Sequence, residues 1–132
     1  MAGYLGVEIG YTKQQLALCD GEGRISEMIS ESVPHPNGAR DILAWLEARI
    51  GALLARYPDI YRIGVGFGGP LETATGRVLM SVQVPGWKDF ELRAWLESKF
   101  GRPAVVVNDT VAGGYAELNK IPEMIKFASI IV

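Results

Sequence analysis

The spacing of apolar residues changes once along this chain, and that change constrains the fold more than any other feature. Between Tyr4 and Val33 the apolar residues gather in three short segments, 4–9, 15–19 and 25–33, separated by a turn containing Gly10 and by the turn "DGEGR" at 20–24. Short apolar segments joined by glycine-containing turns predict three consecutive antiparallel strands. Beyond "PHPNG" the spacing becomes three and four residues, through Ile42, Leu43, Leu46, Ile50, Leu53, Leu54 and Tyr57. That period predicts an amphipathic helix begun near Asn37 and ended before Pro58.

The remainder alternates. "RIGVGFGGP" is a glycine-rich strand running into a loop, and "GRVLMSV" a short strand or extended segment. Asp89 is placed to cap a second helix that turns Leu92, Trp95, Leu96 and Phe100 inward and closes at Gly101 and Pro103. "AVVV" at 104–107 has the continuous apolar character of a strand covered on both faces. "NDTVAGGYAEL" opens a third helix, and "FASIIV" at 127–132 reads as a further strand. An opening meander followed by strand and helix alternation predicts an α/β fold. Its mixed five-stranded sheet carries helices on its faces and ligand sites at the carboxyl ends of the parallel strands.

At 132 residues, 48% of them hydrophobic, the chain suits one globular domain with a sizeable core. The net charge of −2 and isoelectric point near 5.4 argue against nucleic acid or an anionic membrane as a partner. No apolar run reaches the ~20 residues needed to span a bilayer, and the first residues lack the pattern of a signal peptide. The single cysteine, Cys19, lies on an apolar strand pattern and reads as a buried thiol in a reducing setting, so a soluble cytoplasmic protein is expected. A strand as apolar as 127–132 at the end of the chain predicts self-association, as a homodimer that pairs or swaps its carboxyl-terminal segments.

Four places carry candidate chemistry. The turn after the first strand holds Gly10, Thr12 and Lys13. A hairpin needs only the glycine, whereas turn amides, a hydroxyl and an ammonium also suit phosphate oxygens, with Glu8 approaching magnesium through water. Lys13 is equally at home on a solvated surface. Gly64, Gly66, Gly68 and Gly69 weaken a strand unless a ligand or another backbone comes close; a polyhydroxylated ligand and a tightly packed helix are both compatible. Asn108 and Asp109 follow a buried strand and open a helix, where Asp109 is either a cap or a general base accepting a hydroxyl proton. Gly113 and Gly114 in that helix suggest close approach of backbone or ligand. His35, between two prolines, reads as a solvent-exposed loop residue unable to build a zinc site with Cys19. Trp45 and Trp95 read as core, and Trp87 in "VPGW" stays open as a sugar-stacking residue.

These pieces occur together, in order, in a known family. "GVEIGYTK", "GVGFGGPLE" and "GRVLMSVQVPGWKDFELRAWLESKFGRPAVVVNDTVAGGYAE" resemble the amino-terminal lobe of the ROK family of sugar kinases and related repressors, within the actin-like, ribonuclease-H-like superfamily. The resemblance covers residues from about Tyr4 to Glu117. It implies that residues 1–120 form that lobe and that 121–132 begin a second one. It further implies ATP and magnesium as cofactors, a hexose-type sugar as substrate, and Gly10, Thr12 and Lys13 as the first phosphate motif. By the same resemblance Gly66, Gly68, Gly69, Gln83 and Asn108 touch the sugar, Asp109 activates its hydroxyl, and Glu8 stands for the metal-associated acid, more often aspartate. Family kinases usually carry two adjacent glycines before the threonine, and here the second is Tyr11. The second phosphate motif and the adenosine pocket of the family fall beyond these residues, so the 132 residues alone are expected to be inactive. A non-catalytic sugar-binding or regulatory module of the same family is the alternative.

Overall fold

The computed structural model describes residues 3–20, 24–81 and 83–108. Its first three strands, β1 (Gly3–Ile9), β2 (Lys13–Asp20) and β3 (Ile25–Ser32), form an antiparallel meander. Alternation along β1 sends Leu5, Val7 and Ile9 into the main core and leaves Tyr4, Gly6 and Glu8 on the other face. β3 alternates between half-buried and exposed residues throughout, as an edge strand wet on one side does.

α1 (Ala39–Arg56) then crosses back to β4 (Ile60–Phe67), which pairs parallel with β1. The helix starts two residues beyond Asn37 because Gly38, at φ 70°, turns the chain so that the Ala39 N–H donates to the Pro85 oxygen at 2.8 Å. A Cβ at Gly38 would lie 2.3 Å from the Pro85 oxygen, so only glycine fits that turn. α1 ends at Arg56, one residue before Tyr57 and ahead of Pro58, as the period predicts. Its Ile42, Leu46, Ile50, Leu53 and Leu54 lie buried in the core cluster that also holds Leu5, Val7, Ile63 and Val65 of the sheet.

After β4 a small antiparallel sheet of β5 (Leu71–Glu72), β6 (Arg77–Val78) and β7 (Phe90–Glu91) leads into α2 (Leu92–Phe100) and β8 (Ala104–Asn108), parallel to β4. The five-stranded sheet has the order β3-β2-β1-β4-β8, the mixed α/β architecture that the sequence predicts. Moving from β1 to β4 to β8 in one direction through right-handed crossovers puts both helices on the same face. Buried Leu92 and Leu96 of α2 accordingly join α1 in one core cluster. Expectation and structure part at β8. Ala104 and Val106 are buried, but Val105, on the face away from both helices, is 52% exposed rather than covered.

Two residues take other roles than their sequence neighbourhood suggests. Asp89 does not cap α2. The residue before that helix is Glu91, with no side-chain cap bond, while Asp89 sits at φ 57° and accepts a bond from Arg77 at 3.1 Å. Trp87 is 1% exposed, so neither ring face is available to a sugar. It packs edge-on against Phe67 and Phe90, with ring centroids 5.1 and 5.6 Å away. The third helix, Gly113, Gly114 and the strand 127–132 fall outside the described residues. Among the described residues no helix is long and apolar enough to cross a membrane.

Candidate functional site

The parallel strands bring three chain segments to one level. Ile9, Phe67 and Asn108 are register partners across β1, β4 and β8, so the residues that follow each strand leave the sheet side by side at its carboxyl edge. Gly10 follows β1 and Gly68 follows β4. Asp109 follows β8 and itself lies outside the described residues.

A shallow recess opens at this edge. Its floor is apolar, built from Ile9, Phe67, Val84 and Trp87, all 3% exposed or less. Its walls are Gly10 and Tyr11 from the first turn, Gly68 from the glycine loop, and Ser81 and Gln83 from the segment ahead of Trp87. The predicted phosphate turn and the predicted sugar loop therefore share one hollow. Trp87 serves this arrangement from beneath, since its burial against Phe67 anchors the segment that carries Gln83.

The first turn is held by side chains that its polar sequence does not advertise. Gln14 is fully buried and grips Gly10 twice: its Oε1 accepts from the Gly10 N–H at 3.0 Å and its Nε2 donates to the Gly10 oxygen at 3.1 Å. Gly10 is not left-handed; a Cβ there would meet the Lys13 oxygen at 3.1 Å, so the glycine provides room rather than a special backbone angle. Lys13 is the first residue of β2 and is exposed, and it makes no ion pair with a described residue. Tyr11 and Thr12 are exposed as well, and Tyr11 is accommodated without a left-handed backbone. Its ring rests on His35 at 5.3 Å, while the His35 Nε2 lies 2.6 Å from the Tyr11 oxygen. His35 is thus half-buried and engaged, not the free loop residue that its flanking prolines suggest.

Glu8 and Gln15 are opposite one another in register, both nearly buried, and the Gln15 Nε2 donates to Glu8 Oε2 at 2.6 Å. This bond aims the carboxylate one residue before the strand ends. A single oriented carboxylate is what Mg²⁺ commonly takes from protein beside phosphates, the other ligands being water and phosphate oxygens. Among the described residues no three histidine, cysteine or acidic side chains gather as a metal cluster.

The glycines divide by role. Gly66 is buried in β4 opposite Glu8, and the exposed Gly68 donates its N–H to the Ile9 oxygen at 3.0 Å, tying β4 to β1 as they leave the sheet. A Cβ at Gly69 would lie 2.9 Å from the Phe67 ring and 3.1 Å from the Met80 oxygen, so this position needs close approach. At Gly64 a Cβ would meet nothing within 4 Å, so close packing explains Gly69 and not Gly64. Asn108 Nδ2 donates to the Gly69 oxygen at 3.0 Å, which fixes the glycine loop relative to β8.

The model of the ROK family matches residues 4–122. An N-acetyl-D-glucosamine kinase from Vibrio vulnificus is 33% identical over 110 residues, covering 80% of this chain and 34% of that protein. A ROK family glucokinase from Streptomyces griseus, solved with glucose and AMPPNP, superposes with a TM-score of 0.70 at 27% identity, over 88% of this chain and 36% of that one. A ROK family transcriptional regulator homologous to the E. coli MLC protein gives 0.74 at 25% identity, over 87% and 30%. The chain spans well under half the length of the curated relatives it matches. A match that runs from within the first strand to beyond the last described one, on a shared fold, makes this chain a member of the ROK family.

Proposed function

We propose that the chain is the amino-terminal lobe of an ATP-dependent kinase acting on a hexose-type sugar, with residues 1–120 forming the lobe and 121–132 beginning a second. Gly10, Thr12 and Lys13 hold phosphate oxygens. Gly66, Gly68, Gly69, Gln83 and Asn108 form the sugar side, and Asp109 accepts the proton of the attacking hydroxyl. Glu8 associates with Mg²⁺ through water, and the ion's contribution when bound is to neutralise phosphate charge. The observation that carries this reading is the shared recess, in which Gly10 and Tyr11 face Gly68 and Gln83 across an apolar floor. Phosphoryl transfer depends mainly on holding donor and acceptor in line, and a single hollow bordered by both motifs suits that requirement.

The test is a phosphoryl-transfer assay on the full-length gene product with a panel of hexoses. Asp109→Asn keeps the hydrogen-bonding shape and loses the proton acceptor, so turnover should fall by ~10²-fold or more with sugar affinity within a few-fold of wild type. Near-normal turnover in that variant would reduce Asp109 to a helix cap. Tyr11, standing where family kinases usually have glycine and half-exposed at the recess, favours a second reading as a sugar-binding regulatory module. Sugar binding without any affinity for MgATP, measured by titration calorimetry, would select it.

A further inference from the structure

We propose that His35 is a positioning residue for the first turn: by holding the Tyr11 carbonyl it keeps the turn's amides directed outward and so sets affinity for the polyphosphate of a nucleotide. This rests on the kinase reading above and adds to it a residue outside the glycine, threonine and lysine motif.

Consider the hydrogen bonds of the turn. The Gly10 oxygen accepts from Gln14, the Tyr11 oxygen from His35, and the Thr12 oxygen from the Val33 N–H at 3.0 Å. A carbonyl can only accept, so the His35 Nε2 carries the hydrogen. Every carbonyl from Gly10 to Thr12 is thereby occupied. The N–H groups of Tyr11 and Thr12 donate to no described group. The peptide between Tyr11 and Thr12 is trans, so the Thr12 N–H points opposite to the Tyr11 oxygen and away from His35. A turn with its three carbonyls engaged and two of its N–H groups, those of Tyr11 and Thr12, without a described acceptor suits an anion.

His35 can impose this because it is itself held. The linker 33–38 is fixed at one end by Val33 on Thr12 and at the other by the Ala39 N–H on the Pro85 oxygen at 2.8 Å. Within it the Gly38 N–H donates to the His35 oxygen at 2.9 Å and the Asn37 N–H to Asp41 at 2.8 Å. Asp41, held below the ordinary aspartate range chiefly by that Asn37 bond, keeps a negative charge near the imidazole. Without the His35 donor the Tyr11–Thr12 peptide is free to rotate as a unit between turn types, which would bring its carbonyl dipole towards the phosphates.

Two substitutions separate the donor from the ring. His35→Phe keeps an aromatic edge against Tyr11 and loses the N–H, and His35→Gln restores an N–H at similar reach. In the full-length gene product, His35→Phe should raise KM for ATP by about tenfold, and Kd for MgADP by the same factor in calorimetry, the effect of one lost well-placed hydrogen bond. KM for the sugar should stay within twofold and thermal unfolding should barely move. His35→Gln should return the ATP value to within about threefold of wild type. An unchanged KM for ATP in His35→Phe, a parallel rise for ATP and sugar, or a His35→Gln variant no better than the phenylalanine overturns the proposal alone. A wild-type protein with neither phosphoryl transfer nor MgATP affinity overturns it together with the kinase reading.

Discussion

Shortening Gln14 to alanine strips the Gly10 N–H and oxygen of their partners at once and opens space in a fully buried position. The Gln14→Ala variant should lose roughly 1–3 kcal/mol of stability, read from urea unfolding, and Gln14→Glu should lose at least as much because it buries a charge where a donor is needed. A loss below ~0.5 kcal/mol would mean that water replaces both bonds. The two consecutive glutamines explain why this part of the site is hard to read in advance. Polarity places them at the surface, and only their partners, Gly10 for Gln14 and Glu8 for Gln15, make burial tolerable. Trp87 and Asp89 mislead for the opposite reason. Their loop looks solvent-facing until Phe67 and Phe90 arrive to bury the indole and Arg77 to hold the carboxylate. Gly10 and Gly68 stand out in the sequence because glycines just beyond apolar strand patterns imply close backbone approach, whereas Gln83 is singled out only by the resemblance to the family.

At the scale of elements, apolar period is the readable quantity wherever one face is wet. β3 and α1 have that contrast, and they are fastened to each other by Glu31, whose oxygens accept from Trp45 Nε1 and Arg49, each at 2.6 Å. The second face of β1 and β2 shows a different chemistry. There Tyr4 packs beside Cys19 and Ala17, and loss of solvent, reinforced by Cys19, pushes its phenol up to about 12. Below the ordinary tyrosine value near 10 the phenol is neutral both folded and unfolded, so its contribution is intact there. Between pH 10 and 12 the unfolded chain gives up this proton first, and stability falls as pH rises. Urea unfolding at pH 9 and at pH 11 should therefore show a smaller drop for Tyr4→Phe than for wild type, and equal drops would place the phenol in water. Where both faces of a strand are apolar, as in "AVVV", period carries no sign of which face a helix covers. The exposure of Val105 follows from crossover handedness and strand order, which single segments do not encode.

For the whole molecule, the order β3-β2-β1-β4-β8 divides the sheet into a part made by neighbours in sequence and a part made by distant segments. β1, β2 and β3 pair through turns of a few residues, whereas Gly3 meets Ile60 and Phe67 meets Asn108 only after long crossovers. Closing a long loop costs conformational entropy before the contact repays it. Folding should begin in the meander, with the recess completed last. Conservative truncations in β2, such as Leu16→Ala and Leu18→Ala, should give φ-values near 0.5 or above, and Val106→Ala in β8 a value near zero. The reverse ranking would place the nucleus in the parallel half. The late arrival of β8 has a consequence during synthesis. The ribosome releases the turn at Gly10 long before Asn108 emerges to lock Gly69, so a nascent chain would hold a finished first turn beside a glycine loop still without its clamp.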